Sequence, residues 1–515
     1  MKRRALLTSL SASIAAVAGC NDTTSSPDDT STDSPTATPT DSPTATPTDS
    51  STSTPTESPT QTPADQSDER DEWDLGSASI VDLETANRTY ALAPLRYRSE
   101  DHASVRLRFS STATSDSPAT VEARLTNENP FENTFRLRWT PPFGRFHSDI
   151  PSPMVGDYGD YTYRDELLFA PTDNHDLVDD GAAVVRDSDG HWRLDDSWPP
   201  DFPETVRLTP DETVYGEYAL VGHDEGRGRP PGTYEFSRGS DGAIRVTVWE
   251  TDAPGPASDS TFTGESVPSP PKGDETAWFH EADASTPTFV YPSVERTELP
   301  ARVEFTFVNR SRESTTCGHW NLYKHQGGGW FHLGPYRHTA DCRVVRPGGT
   351  KQWTMQAATG ELPAGRRREN FEFLGGGRYA AVAGYGHATP RSAALVEFDA
   401  PPVSIVPTNG VTADREDGTV TVTGEAWRAA PDSEHRSRVQ LVLEQADEAG
   451  RTFIAEQVMR RRFRGLRNAL AFAAPDVDRV LLRTDDQTAD RAIRYDDELR
   501  FRYDEQSHVI RKTDP

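Results

Sequence analysis

The heptad Val303-Glu304-Phe305-Thr306-Phe307-Val308-Asn309 alternates apolar with polar side chains and stops at an asparagine. Val121-Glu122-Ala123-Arg124-Leu125-Thr126-Asn127 does the same. A period of two marks a half-buried strand, and asparagine is a turn residue. Working outward, three further pairs of landmarks follow in the same order. Val184-Val185-Arg186 and Gly190-His191-Trp192 match Leu322-Tyr323-Lys324 and Gly329-Trp330, two glycine-turned hairpins. Leu208-Thr209-Pro210-Asp211-Glu212-Thr213 matches Val345-Arg346-Pro347-Gly348-Gly349-Thr350, and Gly232-Thr233-Tyr234 matches Gly377-Arg378-Tyr379. The chain therefore writes one β unit twice. Between Trp73 and Asp399 the runs are short, broken by Gly, Pro, Asp and Asn, and show no amphipathic helix, which predicts β-sandwiches.

Trp320-Asn321-Leu322-Tyr323, the glycine turn, Trp330, Pro347-Gly348 ahead of Trp353, and Gly377 with Tyr379 resemble the bacterial-type immunoglobulin-like domains of secreted proteins. The resemblance is good over 300–400 and weaker over 85–250. It implies that the Trp and Tyr positions are core and that Pro-Gly is a turn ahead of a strand, and it brings no catalytic residues. Cys317 and Cys342 do not occupy the inter-sheet positions of antibody domains, so that comparison stops at architecture. After Ala400-Pro401-Pro402 the pattern changes. Strands are predicted at Thr419–Thr423, Arg438–Leu443, Thr452–Val458, Val477–Arg483 and Leu499–Tyr503. Helical spacing of Phe463, Leu466, Leu470 and Ala473 lies between the third and fourth. The expected fold is mostly β: two tandem Ig-like sandwiches over 73–252 and 276–400, joined by a linker at 253–275, and a small α+β domain over 401–515.

Residues 1–19 read as a signal peptide: Lys2, Arg3 and Arg4, an apolar run from Ala5 to Ala18, then Val17-Ala18-Gly19-Cys20. The run is short for a membrane span, the last four residues look like a lipobox, and Arg3-Arg4 resembles a twin-arginine export signal. Cys20 is the expected lipid attachment. Residues 20–72 are Thr, Ser, Pro and Asp with almost nothing apolar, and the octet Thr-Asp-Ser-Pro-Thr-Ala-Thr-Pro occurs at 32–39 and 40–47. Such a segment cannot offset the entropy of ordering, so a disordered stalk is expected, with an extended reach of ~160 Å at ~3.1 Å per residue. With Cys20 taken by lipid, Cys317 and Cys342 remain, either an extracellular disulfide contributing ~3 to 4 kcal/mol or two buried thiols.

The chain has 515 residues and a net charge of −28, from 82 acidic and 54 basic side chains. Only five of the 54 are lysine: Lys2, Lys272, Lys324, Lys351 and Lys512. That balance excludes a nucleic-acid binder working through a broad basic face. An acidic, arginine-dominated composition resembles the proteome style of halophilic archaea, where carboxylates hold hydration in concentrated salt.

The search for chemistry yields little. His319, His325, His332 and His338 crowd between the cysteines. A turn at Gly327–Gly329, however, sends His325 and His332 to opposite faces, so no metal is expected. Asp187-Ser188-Asp189-Gly190 opens like a calcium loop, but its twelfth position is Trp198, and a hairpin turn is the simpler reading. Asn87 and Asn309 head Asn-x-Thr and Asn-x-Ser sequons, candidate glycosylation sites or ordinary turn asparagines. The stretch 128–180 looks like an insertion into the first unit, rich in Phe, Tyr and Trp. It is readable as a recognition loop or as an extra hairpin with its own small core. Arg460, Arg461, Arg462, Arg464 and Arg467 would bind an anionic polymer or lipid headgroups, or pair with nearby carboxylates. No catalytic residue and no cofactor is expected.

These observations lead to an expectation of an extracellular protein held by lipid on the outer face of the cytoplasmic membrane. Its Ig-like modules would serve binding, adhesion or envelope organisation. The expected partners are the membrane, through the anchor, and surface polysaccharide or envelope protein. The alternative is an exported hydrolase or carbohydrate-handling enzyme with its site in the insertion or the last domain.

Overall fold

Alternation along Thr120–Thr126 buries Val121, Ala123 and Leu125 and leaves the residues between them half-buried. This is the central strand of a sandwich. The computed structural model describes residues 79–513 except 145, 155–160, 196–201, 227, 237–243, 272–275, 317–318, 337–343, 364–369, 386–390, 430–436 and 495. The signal peptide, Cys20, the stalk, Cys317, Cys342 and His338 lie outside the described residues.

In the first sandwich one sheet runs Ile80–Asp82, Thr89–Ala93, Ile244–Trp249, Gly232–Phe236 and Ser152–Pro153. The facing sheet runs Arg96–Arg98, Ser104–Ser111, Thr120–Thr126, Thr213–Gly222, Trp192–Leu194 and Val184–Arg186, and Leu167–His175 also pairs with Thr213–Gly222. The second sandwich sets Thr276–Trp278, Arg391–Asp399, Gly377–Tyr385, His319–Gln326 and Gly329–Gly334 against Thr288–Pro292, Ala301–Asn309, Thr350–Ala357 and Asn370–Phe371. Each encloses its own core, with Leu107, Tyr218 and Phe236 in the first and Phe305, Leu322 and Phe398 in the second. The protein is therefore mostly β, with two sandwiches in series.

Three of the repeated landmarks are the same piece of structure. Asn127 donates from Nδ2 to the carbonyls of Phe131 and Leu208, each at 2.9 Å, and Asn309 donates to those of Glu313 and Val345 at 2.9 Å. The prolines that follow sit in turns closed by Glu212 N to Thr209 O at 3.1 Å and Gly349 N to Arg346 O at 2.9 Å. Asp211 (φ 63°) and Gly348 (φ 70°) supply the left-handed third position that a proline-led type II turn needs. Gly348 carries a second constraint. A Cβ there would stand 2.8 Å from Ala91 Cβ and Thr247 Cβ of the first sandwich, to which Gly348 also offers its carbonyl. Tyr234 and Tyr379 are buried, and their hydroxyls donate to the carbonyls four residues earlier, Pro230 (2.7 Å) and Gly375 (2.6 Å), the tyrosine-corner geometry of Ig-like sandwiches.

The fourth landmark is not equivalent. The hairpin at 184–194 extends the sheet containing Thr213–Gly222, whereas the hairpin at 319–334 joins the sheet containing Gly377–Tyr385. Similar turn chemistry was read as shared position. Consequently 128–180 is not an appendage: it supplies Leu167–His175 to one sheet and Ser152–Pro153 to the other, and Phe135, Phe143 and Phe169 are core. The connection after the first sandwich is also tied down, with Phe262 buried on the outer face of the second sandwich beneath Arg296 and Arg378.

The last domain is one mixed sheet ordered Thr412–Glu416, Thr419–Thr423, Arg479–Asp485, Arg438–Gln445, Gln506–Thr513, Glu498–Tyr503 and Arg451–Thr452. Helices Arg464–Leu470 and Asp486–Ala492 contribute Leu466, Ala469, Ala489 and Ala492 to its core. The expected strand Thr452–Val458 is instead an end strand followed by a helix, Ala455–Val458. There Gln457 Oε1 reaches back to Ile454 N at 3.4 Å, and the strand periodicity ends.

Asn309 is fully buried and its amide hydrogens are spent on backbone carbonyls, which makes it a corner residue of the folded chain. Asn309→Ala is expected to destabilise by about 3 kcal/mol, because buried carbonyls lose their donor. Asn87→Ala, at an exposed turn, is expected to change stability by less than about 0.5 kcal/mol, with chaotrope titration as the measurement for both.

Candidate ligand cleft

Helix Ala455–Val458 carries the last domain onto the hairpin of the second sandwich. Glu456 pairs with Lys324, with side chains 3% and 9% exposed. Gln457 Nε2 donates to His332 O at 2.9 Å, and Arg460 Nε donates to Leu333 O at 3.1 Å with its guanidinium over Phe371. Burial lowers the pKa of Arg460 to about 10, which leaves it charged at neutral pH. Arg467 likewise donates to Val406 O at 2.6 Å and covers Phe373. These arginines were expected to meet an anionic polymer or carboxylates. They meet backbone carbonyls and aromatic faces instead, because the planar guanidinium can serve both at once.

A cavity lies on each side of this helix. The first, about 900 Å3, includes Arg296, Lys324, Glu397 and Glu456. Its two cations are already neutralised, Arg296 by Glu397 at 2.7 Å and Lys324 by Glu456. The second, about 730 Å3, is walled by Asn321, Trp330, His332 and Tyr336 from the sandwich and by Arg451, Arg462 and Arg494 from the last domain. Its size is that of a small-ligand site.

The sandwich wall is built by the hairpin. Gly327 (φ 58°) and Gly328 (φ 78°) form the two-residue turn that registers Tyr323 opposite His332 and His325 opposite Trp330. The turn is one residue shorter than expected, with Gln326 opposite Gly329, so His325 and His332 are not sent to opposite faces. Tyr323, His325, Trp330 and His332 share one face, His325 against Trp330 and His332 against Tyr323, with His325 at the rim of the first cavity and His332 in the second. His332 Nε2 lies 2.7 Å from Asn321 Oδ1. Asn321 is 2% exposed, and its Nδ2 has no hydrogen-bond partner. Tyr336 donates its hydroxyl to His332 O at 3.2 Å, and burial raises its pKa.

The opposite wall is cationic. Arg462 lies 5.1 Å above the Tyr336 ring and Arg451 4.5 Å above Phe453. Burial lowers the pKa of Arg451, and the charges of Arg494 and Arg462 lower it further. Among the described residues none of the three arginines meets a carboxylate within ion-pair distance. Arg494 follows helix Asp486–Ala492 with a left-handed backbone, φ 62°, a conformation costing a non-glycine residue ~1 kcal/mol.

Elsewhere the sequence candidates resolve as structure. Asp187 Oδ1 accepts from Asp189 N (3.0 Å) and His191 N (2.9 Å), a hairpin turn. Asn87 is exposed beside Asp252. Among the described residues no group of three His, Cys, Asp or Glu side chains could hold a metal ion, and no helix is long and apolar enough to cross a membrane. The cleft itself had only fragments of a signal, His332 in a histidine-rich stretch and Arg462 in an arginine run. Asn321, Arg451 and Arg494 are brought to it by the fold alone.

The sequence matches no protein-family model and no curated protein. Among solved structures, a polysaccharide lyase is similar over 59% of this chain and 34% of its own length, with 11% identity and a TM-score of 0.13. The chain thus spans about a third of that structure, and a likeness at this TM-score carries no functional argument.

Breaking a buried ion pair on one side leaves an unpaired charge. Glu456→Ala is therefore expected to cost about 3 to 5 kcal/mol, and the double replacement Lys324→Met with Glu456→Leu much less, in a double-mutant cycle followed by tryptophan fluorescence.

Proposed function

We propose that the chain is an exported surface protein, anchored through Cys20 and held off the membrane by its stalk. Its two sandwiches and last domain present a binding cleft to the envelope. The observation that carries the binding reading is the second cavity: aromatic and amide groups on one wall, three guanidinium groups on the other, and no carboxylate among its described lining residues. Paired carboxylates, the usual equipment of a glycoside hydrolase, do not occur among its described lining residues, which favours binding over hydrolysis there. The insertion is a poorer candidate for either role, since Phe135, Phe143 and Phe169 are interior. Of its rings, Phe131, Trp139 and Tyr163 are exposed. The lipobox and the Thr/Ser/Pro stalk support the anchored, extracellular placement, and the low lysine content supports a salty one.

The two parts of this reading have separate tests. Cys20→Ser is expected to move the protein from the membrane fraction to the soluble fraction, and unchanged retention would remove the anchor. Thr452 is exposed at the cleft, and Thr452→Trp is expected to fill it. The full chain in detergent should retain envelope material in molar salt, and the tryptophan variant should lose it. Equal retention would move the ligand site elsewhere.

A further inference from the structure

We propose that the cleft between the second sandwich and the last domain binds an acidic polysaccharide, seating a sugar-borne carboxylate or sulfate among Arg451, Arg462 and Arg494. This rests on the cleft being the ligand site.

The charge argument comes first. Three guanidinium groups share one cavity with no carboxylate partner among the described residues, in a chain whose net charge is −28. Acidic side chains are abundant, yet among the described residues none lines this cavity. The cluster is internally repulsive, Arg451 being disfavoured in its charged form by Arg494 and Arg462, and an oxyanion relieves that repulsion. The guanidinium fork matches the two oxygens of a carboxylate or sulfate, so recognition survives where distance-dependent attraction does not. At ~1 M salt the screening length is ~3 Å, and only groups in contact still count.

The opposite wall selects what carries the anion. Asn321 Nδ2 is an unpartnered amide donor in a residue 2% exposed at the cavity wall, beside the His332 imidazole to which its oxygen is bonded. Asn321 and His332 thus give that wall polar side chains beside which ring hydroxyls can sit. Tyr336 and Trp330 line the same wall, the first with Arg462 over its ring and the second largely buried, so apolar ring atoms border the polar groups there. The volume, about 730 Å3, admits more than one sugar ring. A simple inorganic anion would satisfy the arginines but leave the amide and the aromatic wall unused.

The test uses the full chain in detergent, in molar salt, with calorimetric titration of tetrasaccharides of galacturonate, of a sulfated galactan and of neutral galactose, and with a single-stranded oligonucleotide and sodium sulfate. Binding of either acidic tetrasaccharide, and of neither neutral sugar, oligonucleotide nor sulfate ion at the same concentration, is expected; which acidic sugar binds identifies the anion as carboxylate or sulfate. Arg494→Gly is expected to weaken it by about tenfold or more while leaving the melting temperature equal or higher, because glycine suits the left-handed backbone. Arg451→Gln should weaken it similarly. Equal affinity in both variants, equal binding of the neutral sugar, the oligonucleotide or sulfate ion, or no binding of either acidic sugar would each overturn the proposal. If the acidic sugars fail while Thr452→Trp still abolishes retention of envelope material, the cleft stands and its ligand is of another kind. If Thr452→Trp changes nothing, the cleft itself is not the site.

Discussion

Removing a carboxylate from water costs several kcal/mol unless a partner replaces the lost hydration. Glu456 meets that condition with Lys324, one of five lysines in the chain. The pair joins a strand of the second sandwich to the first helix turn after the end strand of the last domain. The contacts around it, Gln457 to His332 and Arg460 to Leu333, have their registry only while that helix sits on the hairpin. Both cavities exist because of this docking. The arrangement divides labour between the cations: Lys324 as a compact charge inside the joint, and arginines, always charged and planar, along backbone carbonyls, aromatic faces and the cleft wall.

The same reasoning explains why the two cavities differ although they flank one helix. In the first, cations and carboxylates alternate closely enough to satisfy one another, as Arg296 does with Glu397. The wall is electrostatically finished without a ligand. In the second, among the described residues, the arginines have no carboxylate partner and the Asn321 amide nitrogen has no hydrogen-bond partner. Guanidinium and amide donors thus meet across one space. An incidental gap between domains would be expected to fill with the carboxylates that the composition supplies so freely.

What the sequence made legible follows the range of the interactions. Val121 to Asn127 and Val303 to Asn309 could be read because alternation and a closing asparagine are local, and their corners prove identical down to the carbonyls that the amides reach. Gly232–Tyr234 and Gly377–Tyr379 could be read for the same reason, the tyrosine bond closing over four residues. The hairpins misled because a glycine turn before tryptophan fixes how two strands meet each other and not which sheet receives them. Thr452–Val458 misled because its apolar run suits either a strand or a docking helix, and the tertiary contact at Glu456 decides. The cleft was beyond reach: Asn321 and Arg494 are 173 positions apart, and nothing local marks either one.

The two units differ where they meet their neighbours. Asp211 and Gly348 occupy the same left-handed turn position, so the turn alone does not demand glycine. Gly348 is glycine because its turn abuts Ala91 and Thr247 of the first sandwich, where a side chain would have no room. The first copy's turn stays exposed and keeps an aspartate. One corner of the repeated unit thereby became the joint between sandwiches, and the hairpin present only in the second copy's tyrosine-corner sheet became the seat for the last domain. The cleft arises where the second unit departs from the first: the hairpin on which helix Ala455–Val458 docks has no counterpart in the tyrosine-corner sheet of the first sandwich.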